Sequence, residues 1–263
     1  MDREKKLVAE STIGGNLATE SLGSQVRLGE SETRRWNMDR EQLLASIEAR
    51  HAVRRYLDRT IPDEVRTELN QAVQRCNDTS GLSLQIRYDE PECFSSLMAH
   101  YGSFRNVTNY LAVIGQTGSG LDGLGGYYGE QIVLLAQHLG LNSCWVGLSY
   151  NKRAARAKLE HDTKLLLVVA LGYGESSGRP HKAKPIDKLG AVQGDDAMPD
   201  WFRQGLEAVA LAPSALNQQK SFFELNGTTV KATTKAGSFT QVDLGIAKYH
   251  FEVGAGDANW GWG

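Results

Sequence analysis

The chain has 263 residues, of which 41% are hydrophobic and 23% are charged, and its formal net charge is −2. This length and composition predict a globular protein of one large domain or two small ones, with enough chain to bury a core. The small net charge provides no general attraction to nucleic acid or to anionic membranes. No apolar run approaches the roughly 20 residues that span a bilayer, and the charged start, residues 1–6, is not a secretory signal.

The three cysteines, Cys76, Cys93 and Cys144, are far apart in the sequence. An odd number of thiols without close pairing is typical of a reducing compartment, so we expect a cytoplasmic protein. Neither a Cys-x-x-Cys nor a His-Glu-x-x-His motif occurs, and no metal site is predicted.

The predicted elements begin after a polar extension, residues 1–37, which lacks sustained periodicity and is expected to be flexible. A first helix is predicted from the N-cap Asp39 to Ala49. A second begins after Pro62 and has its apolar residues on one face. Four elements then follow in order: a strand at 83–88, a short helix at 91–101, a buried strand at 110–115 and a central buried helix at 125–139.

The rest of the chain mixes both element types. We predict a charged surface helix at 151–159, the strongest strand at 164–173, a long connection at 175–200 that wraps a surface, a helix at 201–211 and a last helix at 243–253. Asn226-Gly227 between two strand-like runs predicts a β-hairpin. Helices with about five strands, and without βαβ alternation, indicate an α+β fold.

One structural unit is predicted to occur twice. An amphipathic stretch followed by a strand-like run occurs at 63–88 and again at 201–225, and a buried helix occurs at 129–136 and at 244–252. A basic cluster precedes only the first copy. A chain that repeats a fold but divides its polar motifs between the copies is expected to build one composite site at a pseudo-twofold interface. The predicted units are residues 1–37, a first half at 38–190 and a partial second half at 191–263.

Arg50, His51 and Arg54 lie within five residues at the predicted end of a helix. Their donors can converge on one anion, and the planar guanidinium fork suits phosphate. The alternative is a solvated basic face that stabilises the C-terminal end of the helix dipole. The segment 181–184 in the long connection either brings further positive charge to a phosphate or forms a solvated loop.

Pro213 to Gln219 place a hydroxyl and several amides directly after a helix and before a strand. Such a turn presents donors and acceptors that suit the polar edge of a planar heterocycle. The alternative is an ordinary helix-to-strand turn.

Residues 142–147 follow the predicted buried helix. Either their backbone N–H groups face a ligand, or Trp145 packs in the core and Gly147 forms a turn. Cys144 has no adjacent residue that would activate it as a nucleophile.

Gly118 to Gly123 match Gly-x-Gly-x-x-Gly between a predicted strand and a predicted helix. A dinucleotide-binding motif also requires an acidic residue about 20 positions later, and the chain there reads Leu-Gly-Leu-Asn at 139–142. We therefore interpret this segment as a flexible loop.

Taken in order, these segments resemble the FMN-dependent nitroreductase family over most of residues 41–254. Residues 50–56 look like its N-terminal flavin-binding signature, and residues 212–219 like its Ala-Pro-Ser-x-x-Asn-x-Gln signature. Residues 140–147 are similar to its Gly-Leu-Gly-x-x-Trp-x-Gly segment, and residues 169–174 match its last core strand. The resemblance implies an α+β nitroreductase-like fold, with a central, mainly antiparallel sheet flanked by helices.

In ordinary members of that family the Pro-Ser-x-x-Asn segment closely follows the first basic cluster, and two subunits build two flavin sites across their interface. Here that slot, residues 75–80, lacks the motif, which occurs instead in the second half. The chain therefore resembles a branch in which one chain mimics the dimer. A monomer that is a pseudo-dimer, with about one FMN, is expected.

The resemblance implies a set of residues that bind FMN: Arg50, His51, Ala52 and Arg54; Trp145, Val146 and Gly147; Lys182 and Lys184; Pro213, Ser214, Ala215 and Asn217. Arg50 and His51 would hold the phosphate, Arg54 would lie near the pyrimidine edge, and the two lysines stand where the family's basic residues reach the phosphate. The second half would supply the turn, and residues 145–147 would contact the ring through their backbone.

The activity implied by the resemblance is hydride transfer from NAD(P)H to a small acceptor such as a nitroaromatic or a quinone. Arg54 is the candidate cation that would stabilise the reduced cofactor. The alternative is a non-catalytic flavin-binding protein or a degenerate family member, because Ala52 replaces the family's usual Ser and the segment after Gln219 departs from its Gln-Pro-Trp ending. A redox-inert interaction module is a third interpretation. No nucleic-acid or membrane partner is expected.

Overall fold

The computed structural model describes residues 38–95, 102–118, 120–155, 159, 162–194 and 196–263. The predicted extension, residues 1–37, lies outside these ranges, and its flexibility stays a prediction. Much of the helix predicted at 91–101 also lies outside these ranges. The structure describes a short 3-10 helix at Pro91–Phe94 in its first part.

Two helices open the described chain. Helix α1 (Arg40–Ala49) begins at the predicted N-cap: the Asp39 carboxylate accepts from the N–H of Gln42, and the Gln42 side chain accepts from the N–H of Asp39. This reciprocal cap satisfies two N–H groups that the helix itself leaves unpaired.

Helix α2 (Asp63–Ser80) follows Pro62 and ends at Gly81, whose left-handed φ of 71° suits a residue without a Cβ. The helix buries most of the face that the sequence predicts, through Leu69, Ala72, Val73 and Cys76.

The first sheet contains strands β1 (Gln85–Arg87), β2 (Asn109–Gln116), β3 (Asn142–Val146) and β4 (Thr163–Gly172). Their order is β1-β2-β4-β3, and all neighbours are antiparallel. The apolar run of β4 is central, as its sequence predicts. Helix α3 (Leu121–His138) packs on this sheet and buries Ile132 to Ala136.

The second sheet contains strands β5 (Gly190–Val192), β6 (Ser221–Asn226), β7 (Thr229–Thr234) and β8 (Gly261–Trp262), in that order. The hairpin predicted at Asn226-Gly227 is confirmed by the antiparallel β6–β7 pair. Helices α4 (Asp200–Ala210) and α5 (Thr240–Ala255) cover this sheet around an aromatic core of Phe202, Phe223, Phe251 and Trp260. The structure is therefore an α+β fold with helices flanking sheets.

The charged helix predicted at 151–159 is wrong for the part that the structure describes. Residues 152–154 form a turn. The side-chain oxygen of Asn151 accepts from the N–H groups of Arg153 and Ala154. Such local side-chain bonds compete with helix formation.

A similar order of elements occurs twice along the chain. The series α2–β1–β2–α3–β3 is matched by α4–β6–β7–α5–β8. Strand β4 has no counterpart in the second series. Strands β2 and β3 are parallel with β4 between them, whereas β7 and β8 are parallel and pair directly.

Helices α3 and α5 cross at two glycines. A Cβ atom at Gly126 would collide with the carbonyl of Val242, and one at Gly245 would collide with the carbonyl of Gly123. Both glycines and both partners are 119 positions apart (126 to 245, 123 to 242). The residues that precede the two helices, Gly120 and Phe239, have the same spacing (120 to 239), and both are left-handed, with φ of 69° and 61°.

This spacing differs by about one helical turn from the one that the sequence pattern suggests, in which 129–136 corresponds to 244–252. The two crossing helices are nevertheless related by an approximate twofold exchange, because each supplies a glycine to the backbone of the other at equivalent positions.

Candidate functional site

Helix α1 lies against α5 at its start and beside α3 at its end. Near the start of α1, Arg40 donates to the carbonyls of Val253 (2.9 Å) and Gly254 (2.6 Å) in α5. At its end, Arg50 is only 3% exposed, and its Nε lies 3.8 Å from Oε1 of Glu130 in α3. Among the described residues this Nε has no hydrogen-bond partner.

Glu130 is the centre of a polar group that we call the Glu130 cluster: the buried Arg50, Glu130 and His250, and the half-buried Trp145. Its Oε2 accepts a 2.8 Å hydrogen bond from Nε1 of Trp145, and its Oε1 lies 2.9 Å from Nε2 of His250. The other ring nitrogen of His250, Nδ1, lies 3.1 Å from the carbonyl of Ala208. Glu130 and His250 are both fully buried.

Sequence reasoning missed the roles of Glu130 and His250. One signal was present, since Glu130 is an ionisable residue in a helix that is otherwise apolar almost all round. Ionisable groups are rarely buried unless they are paired.

The other residues of the basic cluster lie in different environments. His51 is half-buried beside Gly178, whose left-handed backbone passes close to the His51 Cβ. Ala52 is exposed and forms a parallel bridge with Ser143 at the start of β3. Arg54 is exposed, with its guanidinium 5.9 Å from the centre of the Phe104 ring.

The connection before β5 brings polar groups to the end of α4. His181 Nε2 lies 2.9 Å from the carbonyl of Ala210. Burial lowers the pKa of His181, and the nearby charges of Arg50 and His51 lower it further, although the bond to Ala210 opposes this. The basic cluster, this connection and the end of α4 therefore meet.

Lys182 and Lys184 contact the turn at 213–219. The Lys182 carbonyl accepts from the side-chain amides of Asn217 (3.0 Å) and Gln219 (2.8 Å). The Lys184 ammonium donates to the carbonyls of Gln218 (2.9 Å) and Gln219 (2.7 Å). The ammonium of Lys184 therefore stabilises the turn, in addition to any charge that it brings to a ligand.

The turn itself is strained and exposed. Leu216, Asn217 and Gln219 have φ of 52°, 54° and 46°, a left-handed region that costs energy in residues other than glycine. The Gln219 N–H donates to the Ser214 hydroxyl (3.0 Å). Leu216 is 94% exposed. Residues in such conformations are over-represented at functional sites.

Asp243 of α5 holds this turn. Its Oδ1 accepts from the N–H of Ala215 (2.9 Å), and its Oδ2 is buried without a partner in the described part of the chain. Burial raises the pKa of Asp243 to about 6, against the opposing effects of the Ala215 bond and of Lys220.

Strand β3 ends beside the same helix. Trp145 packs on Gly129 and bonds to Glu130, Val146 is buried, and Gly147 faces the ring of Phe239, which a side chain at position 147 would meet.

One face of α5 joins the predicted segments. Because successive residues of a helix turn by about 100°, Phe239, Asp243 and His250 lie on one side of α5. They contact Gly147, Ala215 and Glu130 respectively. Since Glu130 also lies beside Arg50, this face of α5 lies near Arg50, Gly147 and Ala215, one residue from each of three predicted segments.

A cavity of about 470 Å³ lies on the opposite face of the crossing. Its walls include Gly120, Leu124, Tyr127, Leu244 and Lys248. Lys248 lies with its ammonium 4.5 Å from the centre of the Trp262 ring. The cavity contains none of the predicted site residues.

The thiols offer no nucleophile at the candidate site. Cys144 is buried, and burial raises its pKa although Arg54 and Arg50 lie nearby. No group of three or more His, Cys, Asp or Glu within the described ranges is placed to hold a metal ion. None of the described helices combines the length and apolar character that crossing a membrane requires.

Comparison with known proteins identifies the family. A sequence model of the family described as "Putative TM nitroreductase" matches residues 42–255. A search of curated proteins finds no match.

A solved structure shows the same fold. The chain is similar to a "putative nitroreductase" from Thermotoga maritima at 25% identity and a TM-score of 0.56, over 80% of this chain and 81% of that one. A weaker likeness relates it to a "putative nitroreductase in complex with FMN" from Desulfovibrio desulfuricans, at 20% identity and a TM-score of 0.46, over 60% of this chain and 98% of that one. The first of these likenesses agrees with the sequence match, which covers most of the chain. The protein belongs to the nitroreductase family of oxidoreductases.

Proposed function

We propose that this protein binds FMN at one composite site and transfers hydride from NAD(P)H to a small acceptor such as a nitroaromatic or a quinone. The observation that carries the proposal is the buried guanidinium of Arg50, whose Nε lacks a partner among the described residues. A buried charge without full pairing is costly, and an anionic ligand beside it would remove that cost. The planar fork of an arginine suits a phosphate.

The residues around Arg50 fit FMN. Arg50 and His51 would hold the phosphate, with Lys182 at the same end, and Arg54 would lie near the pyrimidine edge. Trp145, Val146 and Gly147 would offer backbone groups to the ring. Pro213, Ser214, Ala215 and Asn217 would approach it from the second half, in a turn that Asp243 and Lys184 already hold in place. When bound, FMN supplies the hydride chemistry.

The chain's own residues orient the cofactor and stabilise charge. Arg54 is exposed and free to place a positive charge where the reduced cofactor becomes anionic. Ala52 provides no hydroxyl at the position where the family usually has Ser, so the binding strength depends more heavily on Arg50 and His51.

We infer that one site per chain is built because the second half is a partial copy of the first. The matched element order and the spacing of 119 positions at the crossing support the duplication. The approximate twofold axis that relates Gly126 to Gly245 also relates the candidate site to the opposite face of the α3–α5 crossing. The cavity lies on that face. Lys248 stands there at the position equivalent to Gly129, and residues 189–199, directly before α4, contain no basic side chain. A monomer is therefore sufficient, and the three unpaired thiols support a cytoplasmic location.

The experiment is reconstitution of the full chain with FMN, followed by anaerobic titration with NADH and NADPH. We expect a yellow protein with about one FMN per chain that sediments as a monomer and is bleached by one of the nucleotides. Arg50→Met should abolish tight binding, whereas Arg55→Met, which changes an exposed arginine nearby, should not. Failure of the wild type to bind FMN would refute the proposal.

The second candidate function is flavin binding without turnover, which Ala52 and the altered segment after Gln219 favour. Bound FMN that neither nucleotide reduces would support it. Reduction followed by reoxidation with a quinone or a nitroaromatic would exclude it.

A further inference from the structure

The contacts of His250 bear on the number of protons in the Glu130 cluster. Both ring nitrogens face acceptors: Nδ1 faces the Ala208 carbonyl at 3.1 Å, and Nε2 faces Oε1 of Glu130 at 2.9 Å. A neutral imidazole has only one N–H. A neutral histidine and an ionised glutamate together hold one of these protons. Satisfying both contacts requires a second proton on the pair.

That extra proton determines the charge beside Arg50. The other carboxylate oxygen, Oε2, accepts from Trp145, so an ionised Glu130 beside an imidazolium satisfies every contact. Arg50 and His250 are then positive and Glu130 is negative, which leaves one net positive charge in a fully buried group. Loss of the proton would leave no net charge and would set Nε2 of His250 against Oε1 as acceptor against acceptor.

We propose that Glu130 and His250 are positioning residues whose shared proton maintains one net positive charge behind Arg50 and so strengthens its hold on the phosphate of the cofactor. This inference rests on the proposed function, because the anion is taken to be the phosphate of FMN. The pair joins the two halves, since Glu130 lies in α3 and His250 in α5. An isolated first half would therefore lack half of the pair.

The other titratable groups around the cluster are Tyr249, Cys144, His51 and His181. Burial raises the pKa of Tyr249 and of Cys144, which favours the neutral form of both. Burial lowers the pKa of His181, which favours its neutral form. His51 directly follows Arg50 in the chain and needs its own control.

The test measures the dissociation constant of FMN between pH 7 and pH 9. The phosphate is almost fully ionised in this range, because its second pKa is about 6. For the wild type we expect the constant to rise with pH, by at most about tenfold per unit, as one proton leaves. Riboflavin, which has no phosphate, should bind more weakly and with little dependence on pH.

Two variants separate charge from packing. In Glu130→Gln the amide can donate to His250 and accept from Trp145 without the extra proton, and Arg50 supplies the same net charge. Its FMN affinity should stay within a few-fold of the wild type at pH 7 and should lose its pH dependence. In His250→Gln the net charge is zero, and we expect FMN binding to be about tenfold weaker or worse, equally at all pH values. His51→Gln should retain the slope even if it weakens binding.

A readout without FMN tests the shared proton directly. In ¹⁵N-histidine NMR spectra of the cofactor-free chain at pH 7, His250 should show two protonated ring nitrogens in the wild type and one in Glu130→Gln. Two outcomes would overturn the inference: an unchanged pH slope in Glu130→Gln, or, in the wild type at pH 7, a neutral His250 ring together with an ionised Glu130 carboxylate, which ¹³C-glutamate spectra identify. Failure of the wild type to bind FMN, with two protonated nitrogens present, would instead refute the proposed ligand and with it the role of the pair in holding phosphate.

Discussion

The α-carbon of Gly126 lies directly against the backbone carbonyl of Val242, where α3 and α5 cross. A methyl group at this position cannot be accommodated unless the helices separate. We predict that Gly126→Ala lowers the free energy of unfolding by about 2 kcal/mol or more, since overpacking a tight core costs roughly 1–3 kcal/mol.

The matched control is Gly123→Ala in the same helix. Its new Cβ would meet no atom closer than the Gln241 carbonyl at 3.9 Å. Because alanine favours helices over glycine by up to about 1 kcal/mol, this variant should be neutral or slightly stabilised. Urea unfolding of both variants checks the prediction, and equal effects would contradict it.

The pKa of Asp243 makes stability depend on pH. The folded protein raises this pKa to about 6, from an ordinary value of about 3.9. The carboxyl therefore binds its proton more tightly in the folded state. Its contribution to stability is complete below about pH 4 and is lost as the pH rises through about 6.

Asp243→Asn keeps an oxygen for the Ala215 N–H and cannot ionise. Relative to the wild type, the variant should gain up to about 3 kcal/mol of unfolding free energy between pH 4 and pH 7.5. Asp187→Asn, which changes an exposed carboxylate paired only with Lys188, should show no such gain. The prediction is wrong if the stability difference between Asp243→Asn and the wild type is the same at both pH values.

The left-handed backbone of Leu216 predicts that a substitution which stabilises the folded protein in the turn at 213–219 weakens its binding of FMN. Leu216 has φ of 52° and is 94% exposed, so Leu216→Gly removes strain and loses little packing. We expect the free energy of unfolding to rise by about 1 kcal/mol. FMN binding should become weaker, because a glycine holds the turn less rigidly.

Leu148→Gly is the comparison, since Leu148 is 73% exposed but is not among the residues with positive φ. This change should lower stability or leave it unchanged. Thermal unfolding and FMN titration of the two variants together decide the point. A destabilised Leu216→Gly would show that the side chain contributes more than its exposure suggests.

The three thiols should be inert in the folded protein. All are buried, and burial raises the pKa of Cys93 to about 12 and raises those of Cys76 and Cys144 as well. The thiolate is the reactive form. A disulfide reagent at pH 8 should therefore modify none within minutes in the native state and all three in urea. Rapid loss of one thiol in the native protein would contradict the prediction.

Local signals in the sequence predicted the elements that depend on neighbours in the chain. The cap at Asp39, the turn at Asn226-Gly227 and the apolar run of β4 each rest on interactions within a few residues, and all three are present. The turn at Asn151 could not be separated from a helix, because its charged neighbours are compatible with both.

Features that depend on distant partners could not be predicted in the same way. Strands β5 and β8 are two or three residues long, and each is defined by a parallel partner elsewhere in the chain. The contact between Glu130 and His250 spans 120 positions. The family resemblance pointed to Arg50 and to the turn at 213–217, but not to the residues behind them.

The crossing of α3 and α5 within a single chain has a genetic consequence. When two identical subunits cross, every mutation enters the contact twice, once on each side. Here both helices have a glycine at the crossing point, Gly126 in α3 and Gly245 in α5. The next pair of equivalent positions differs: Gly129 contacts Trp145, whereas Lys248 lies over the ring of Trp262. Each side of this crossing can therefore change without the other, a freedom that a symmetric pair of subunits does not have.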